Sequence, residues 1–313
     1  MEKKKVLNEG IWMLALFMVL LLVTIYVPGL SLVSSLFLVL PFLVFSAKYP
    51  VKPSVIFGLI SLLAASVVGG LGAVPLALAF GSTGIVMGSM VYKKLDKLSI
   101  FMAGSLTFLL NIILLYVSTI LLTGVNMATK MNEAFKRSFQ ESVDLMKELG
   151  QPLPEEAVEQ IQEGISFFST LTPSLFVLVA FAAVLLFILV NFPILKKLKI
   201  DVPHFQPFRM WRMPTSLLWY YLILLLLSFV AIPEAGSAWY STYVNLMFML
   251  QFCLIIQGLS FFYFFAYIKK WSKAAPIVLT IFSILFLPLL YLVRLLGIID
   301  LGFDLRQRLQ QKP

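Results

Sequence analysis

Residues 7–27, 30–47, 54–70, 72–91, 100–123, 171–195, 215–232, 242–268 and 274–297 form nine continuously apolar runs. Each is close to the roughly 20 residues a helix needs to cross a hydrocarbon core about 30 Å thick. A backbone in lipid must satisfy its own N–H and C=O groups, so such runs fold as helices or as closed barrels. Barrel strands alternate polar and apolar residues, and these runs do not. The expected fold class is therefore all-α, a polytopic transmembrane helix bundle of about nine spans. Composition agrees, with 60% hydrophobic residues, 12% charged residues and a mean hydropathy of +0.97. A soluble domain carries about 25% charged residues.

The basic residues sit at every second junction. Lys3, Lys4 and Lys5 precede the first run; Lys48 and Lys52 follow the second; Lys93, Lys94 and Lys97 follow the fourth. Lys196, Lys197, Lys199, Arg209 and Arg212 follow the sixth, and Lys269, Lys270 and Lys273 follow the eighth. The opposite junctions read Pro28-Gly29, Gly69-Gly70-Leu71-Gly72 and the tip near Glu234. Cytoplasmic loops of membrane proteins carry the excess of Lys and Arg, so this alternation predicts a cytoplasmic N-terminus. The net charge of +9 is thus a topology signal, and no nucleic-acid partner is expected. The lysines and apolar stretch at the start mimic a signal peptide, but the stretch is long and no small-x-small cleavage site follows, which points to an uncleaved first span.

Two segments strain this scheme. The loop 126–169 falls outside and is acidic, with Lys130, Lys136, Arg137 and Lys147 against Glu133, Glu141, Asp144, Glu148, Glu155, Glu156, Glu159 and Glu163. Nine spans also place Arg306, Arg308 and Lys312 outside. Pro288 interrupts the last run, so re-entry of that run, giving eight crossings with the tail inside, is the alternative topology.

The acidic loop carries helical periodicity. Met127, Met131, Phe135, Phe139, Val143 and Met146 recur every three or four residues, the mark of one apolar helix face. Pro152 and Pro154 end that pattern. Pro154-Glu155-Glu156 suits a helix start, since proline fits the first turn and acids favour the positive end of the dipole. Val158, Ile161, Ile165 and Phe168 mark a second face. An amphipathic hairpin over 126–169 follows.

Chemistry-bearing motifs are sparse. There is no phosphate loop, H-E-x-x-H or C-x-x-C, the single histidine is His204, and the single cysteine, Cys253, lies in an apolar run. No cofactor, metal site or catalytic residue is expected. Polar residues inside apolar runs are the better lead, because lipid charges a few kcal/mol for each one left unpaired. Asn111, Asn245, Gln251, Gln257 and, at the start of the first span, Glu9 are the candidate solute-binding residues. Gln251 and Gln257 stand about 120° apart around a helix, so they do not share one narrow face. Arg294 with Asp300 reads as an interfacial ion pair. Gly81, Gly84 and Gly88 have the spacing that lets two helix backbones approach, and are assigned to helix packing. Pro41 and Pro288 break the second and ninth runs, and broken helices expose backbone groups that can hold small ligands.

Leu7-Asn8-Glu9-Gly10, Ala15-Leu16, Tyr26-Val27-Pro28 and Leu40-Pro41-Phe42 at the start, with Gly297-Ile298-Ile299-Asp300-Leu301-Gly302-Phe303-Asp304-Leu305-Arg306 at the end, resemble the YybS-like family of bacterial membrane proteins. The tail looks like that family's G-x-x-D-x-x-x-D-x-R pattern, and the likeness spans essentially the whole chain. The family is widespread in Gram-positive bacteria and its function is not established. The resemblance implies one candidate membrane partner, a cyclic-dinucleotide phosphodiesterase often encoded nearby. Residues 1–197 also resemble, more distantly, the six-helix S-components of energy-coupling-factor transporters, through the Gly-rich join of spans three and four and Asn111 in span five. In contrast to that class, Gly10 and Ala15 are five apart on a bulky first helix, and the C-terminal spans are extra.

The expected organisation is a six-helix bundle over 1–197 that includes the hairpin, a basic loop over 198–214, and two to three spans with a polar tail over 215–313. The favoured function is non-catalytic binding or transport of a small solute. The alternative is a membrane scaffold or regulatory partner of another membrane protein.

Overall fold

The computed structural model describes residues 2–204, 206–230, 234 and 236–310. Every regular element among them is helical. In order they are α1 (Glu2–Tyr26), α2 (Ser31–Phe37), α3 (Leu40–Lys48), α4 (Val51–Gly69), α5 (Val74–Tyr92), α6 (Lys97–Thr123) and α7 (Met127–Glu148). There follow α8 (Glu155–Thr170), α9 (Thr172–Lys197), α10 (Ser216–Val230), α11 (Ala238–Ile268), α12 (Ala274–Leu285), α13 (Leu287–Phe303) and α14 (Leu305–Gln310). The described residues contain 7 helical stretches long and apolar enough to cross a bilayer: Lys4–Tyr26, Pro28–Lys48, Val51–Gly69, Leu71–Tyr92, Lys97–Thr123, Thr172–Lys197 and Ala238–Ile268.

The other two expected spans are shorter. α10 has 15 residues, and Ile232, the expected end of that span, lies outside the described residues. The ninth run is two helices of 12 and 17 residues that meet at Phe286, whose backbone leaves the helical region at φ −115° and ψ 90°. Pro288 explains the break: it has no N–H to donate to the Ile284 carbonyl, and its ring would clash with that carbonyl in a continuous helix. Lys312 and the side chain of Lys3 also lie outside the described residues.

The chain divides into two compact units, Met1–Ile165 with Leu175–Phe205, and Ser166–Ser174 with Gln206–Pro313. The core of the first is built from aromatic and aliphatic side chains of α1, α3, α5, α6 and α9, among them Phe17, Phe42, Met87, Ile188 and Phe192. Phe80, Phe108 and Phe187 form a ring cluster with centroids 5.4–5.6 Å apart. The core of the second gathers Leu218, Tyr221, Leu224, Leu250, Leu254 and Leu301.

Local chemistry sets the helix ends. Asp96, Asn126 and Ser237 cap α6, α7 and α11 by accepting from the backbone N–H of Ser99, Thr129 and Tyr240. Lys94, Lys199 and Lys270 take left-handed backbone, φ 54–59°, just after α5, α9 and α11. Each is the turn residue of a closing motif, as Leu95 N–H donates to Met90, Ile200 to Leu195 and Trp271 to Ala266. Glycine is the usual occupant there. Lysine bears a steric cost of about 1–2 kcal/mol and gains a cation at the negative end of the helix dipole. The same lysines mark the basic junctions of the sequence.

Candidate functional site

The polar residues singled out from the sequence are divided between the two units. In the first unit Asn111 is 8% exposed, and its amide donates to Ser82 Oγ at 2.9 Å and to the Thr107 carbonyl at 2.7 Å, tying α6 to α5. Glu9 joins α1 to the end of α3 through Lys48 at 2.9 Å. Burial lifts the neighbouring Tyr49 hydroxyl above its ordinary range, and the charge and hydrogen bond of Glu9 add to that.

Gly84 and Gly88 seat α5 against α3. A methyl on Gly84 would stand 2.8 Å from the Val39 carbonyl oxygen, and one on Gly88 2.6 Å from that of Leu43. Gly81 faces the Phe42 ring at 3.2 Å in the same construction. The break before Pro41 is repaired from α9, where Asn191 donates to the Leu36 carbonyl at 2.9 Å. The sequence reading passed over Asn191. A single asparagine near the end of an apolar run was its only signal.

In the second unit Asn245 is saturated. Its amide nitrogen donates to the carbonyls of Thr170 and Ser241, both at 2.8 Å, and its oxygen accepts from Ser174 N–H at 2.9 Å and Ser174 Oγ at 2.7 Å. Gln251 is half-buried and stands apart from Gln257, as the angle between them required.

Gln257 belongs to a buried polar cluster that the sequence reading divided. It accepts from Met213 N–H at 2.8 Å and donates to Asp300 Oδ2 at 2.5 Å. Arg306 Nε donates to the same carboxylate oxygen at 2.9 Å, while its other nitrogens reach Ser260 Oγ at 3.1 Å and the Arg209 carbonyl at 2.9 Å. Ser260 Oγ lies 2.7 and 2.8 Å from the carbonyls of Trp211 and Phe208. Asp300 is 1% exposed and Arg306 7%. Nearer the surface, Arg212 pairs with Asp304 at 3.0 Å. The segment 206–213 is thus fastened to α11 and to the end of α13.

The expected Arg294–Asp300 pair is therefore corrected: the partner of Asp300 is Arg306. Positions six apart on a helix stand about 240° round from each other, so residues 294 and 300 face different ways. Arg294 lies over the Tyr291 ring, 5.0 Å from its centroid. Asp304, at φ 49°, folds the chain back so that Arg306 reaches inward.

Beside the cluster, α11 and α13 cross at Gly258 and Gly297. A methyl on Gly258 would collide with the Val293 carbonyl, and one on Gly297 with that of Leu254. Chemically the cluster is a clasp. Its one carboxylate is held by an amide and a guanidinium, and among the described residues no group of three or more His, Cys, Asp or Glu side chains could hold a metal ion.

The chain is similar to a known protein along almost its whole length. The Bacillus subtilis (strain 168) protein described as uncharacterized protein YybS is 28% identical over 311 residues, covering 99% of this chain and 100% of that protein. No solved structure matches. A family described as predicted membrane protein (DUF2232) matches residues 15–301, which contain the α11–α13 crossing and Asp300. The chain belongs to the DUF2232 family of membrane proteins.

Proposed function

We propose that this protein is a non-catalytic scaffold or regulatory partner of another protein in the bacterial cell membrane, and that it engages that partner through the α7–α8 hairpin. One observation carries the reading: no residue of α7 or α8 is buried. Met127, Met131 and Phe135 are 57–62% exposed on one face of α7, and Ile161 and Phe168 are exposed on α8. A stripe of large apolar side chains this long marks an interaction surface. The sequence-level alternation of basic junctions puts the hairpin outside the cytoplasm. The partner suggested by family resemblance is a membrane-bound cyclic-dinucleotide phosphodiesterase. The test replaces residues 127–165 with a short flexible linker and asks whether that enzyme still co-purifies. Loss of co-purification with an unchanged melting temperature is expected. Undiminished co-purification refutes the reading.

A second reading, small-solute binding, draws on a different feature. Side-chain oxygens of Ser46, Thr83, Ser89, Ser105 and Asn191 are buried in the first unit without a hydrogen-bond partner. Unpaired buried oxygens are costly and call for a polar occupant. Asn111, Asn245 and Gln257 spend their amides on neighbouring helices, so this reading moves to those hydroxyls and Asn191. Thermal stabilisation by a solute in a metabolite screen, lost in Thr83→Val, supports it; no stabilising solute counts against it.

A further inference from the structure

Phe261, Phe262 and Phe265 of α11 face Leu296 of α13 and Leu305 and Leu309 of α14 across an open groove of about 590 Å³. Arg308 is its one charged lining residue. At the end of α11, Lys269 Nζ lies 6.0 Å from the Phe265 ring centroid. The Trp271 ring packs 5.6 Å from Phe265 and 6.0 Å from Phe262.

We propose that this groove holds one acyl chain of an anionic phospholipid, with its phosphate on the Arg308 guanidinium and Lys269 beside it. The volume is that of a small-molecule site, roughly 300–1,000 Å³. A tryptophan beside cations is the signature of the membrane–water interface, where headgroups lie. The cations near the groove differ in what they are free to do. Arg306, two residues before Arg308, is committed to Asp300, Ser260 and the Arg209 carbonyl. Among the described residues Asp300 pairs with Arg306 and Asp304 Oδ2 with Arg212, while Asp304 Oδ1 is buried without a hydrogen-bond partner. Arg308 is exposed and forms none of these pairs. A negatively charged group would complement this guanidinium at the rim of an otherwise apolar groove.

An acyl chain gains little by exchanging bilayer hydrocarbon for leucine and phenylalanine, because the two are equally apolar. Preference must then come from the headgroup, and a guanidinium binds phosphate through two parallel hydrogen bonds. A zwitterionic lipid offers the same phosphate with a cation attached, which Arg308 and Lys269 repel.

The test uses the full-length protein in nanodiscs of equimolar phosphatidylglycerol and phosphatidylcholine, with retained lipid counted by mass spectrometry after transfer to detergent. The wild type is expected to retain phosphatidylglycerol roughly fivefold over phosphatidylcholine, the effect of about one well-placed cation. Arg308→Gln should abolish the preference. Leu309→Trp, which fills the groove, should lower retention of both lipids. Equal retention of the two lipids by the wild type, or an undiminished preference in Arg308→Gln, overturns the proposal. So does thermal stabilisation by inorganic phosphate alone equal to that by phosphatidylglycerol, since the site would then read a free anion.

Discussion

Asp300 is a carboxylate almost wholly removed from solvent, and two donors, Gln257 and Arg306, meet on one of its oxygens. Desolvating two ions offsets most of what their attraction returns, so the pair contributes little net stability compared with an apolar replacement. Removing one partner is different, because the other stays buried and uncompensated. Asp300→Asn should lower stability by about 3–5 kcal/mol. The double variant Asp300→Leu with Arg306→Met should cost less than either single change. Thermal unfolding in detergent measures both, and a double variant at the sum of the singles would refute the coupling. Asp300 and Arg306 were visible in the sequence as part of a tail pattern, but their pairing was not. Arg294 lies inside the end of the apolar run and drew the assignment, while the left-handed turn at Asp304 that swings Arg306 inward left no mark beyond an aspartate.

Two helix crossings illustrate what spacing reveals and what it hides. Gly81, Gly84 and Gly88 repeat within one run, so the small face of α5 could be read before its partner α3 was known. Gly258 and Gly297 lie on separate helices, one apiece, and a lone glycine in an apolar run has no periodicity to notice. They nevertheless make the tightest approach, each directed at a carbonyl of the other helix. The same limit applies to the broken second span. Pro41 announced the break, but its repair by Asn191 comes from a helix more than a hundred residues away, and that distance cannot be read locally. Gly258→Ala should therefore separate α11 from α13 and cost about 1–3 kcal/mol, the usual penalty for overpacking. Gly164→Ala in α8 is the matched control, since nothing lies within 4 Å of an added methyl there. It should leave stability unchanged or raise it by up to about 1 kcal/mol through helix propensity. Equal melting temperatures for the two variants would show that the α11–α13 crossing bears no strain.

At the scale of the whole chain, helical class and the approximate positions of the spans follow from the length of the apolar runs alone. The number of crossings does not, because a proline-broken run of this length can pass through the bilayer or turn back. Contacts in the second unit bear on that choice. Arg306 donates to the Arg209 carbonyl, and Asp304 pairs with Arg212. Groups about 3 Å apart cannot sit on opposite sides of a hydrocarbon core about 30 Å thick. The eight-crossing arrangement, with the tail on the side of the segment 206–213, keeps these contacts, and the nine-crossing one does not. α12 by itself is too short to cross, since 12 residues extend only about 18 Å. The basic residues of the segment predict that side to be the cytoplasm. In a background with Cys253 replaced by alanine, single cysteines at Gln206 and Gln307 should stay protected from a membrane-impermeant maleimide in intact cells. A cysteine at Glu148 in the hairpin should react. Labelling of position 307 with protection of position 206 would separate tail from loop and refute the clasp in the membrane. Labelling of both, with protection of position 148, would keep the clasp and invert the orientation that the basic junctions imply.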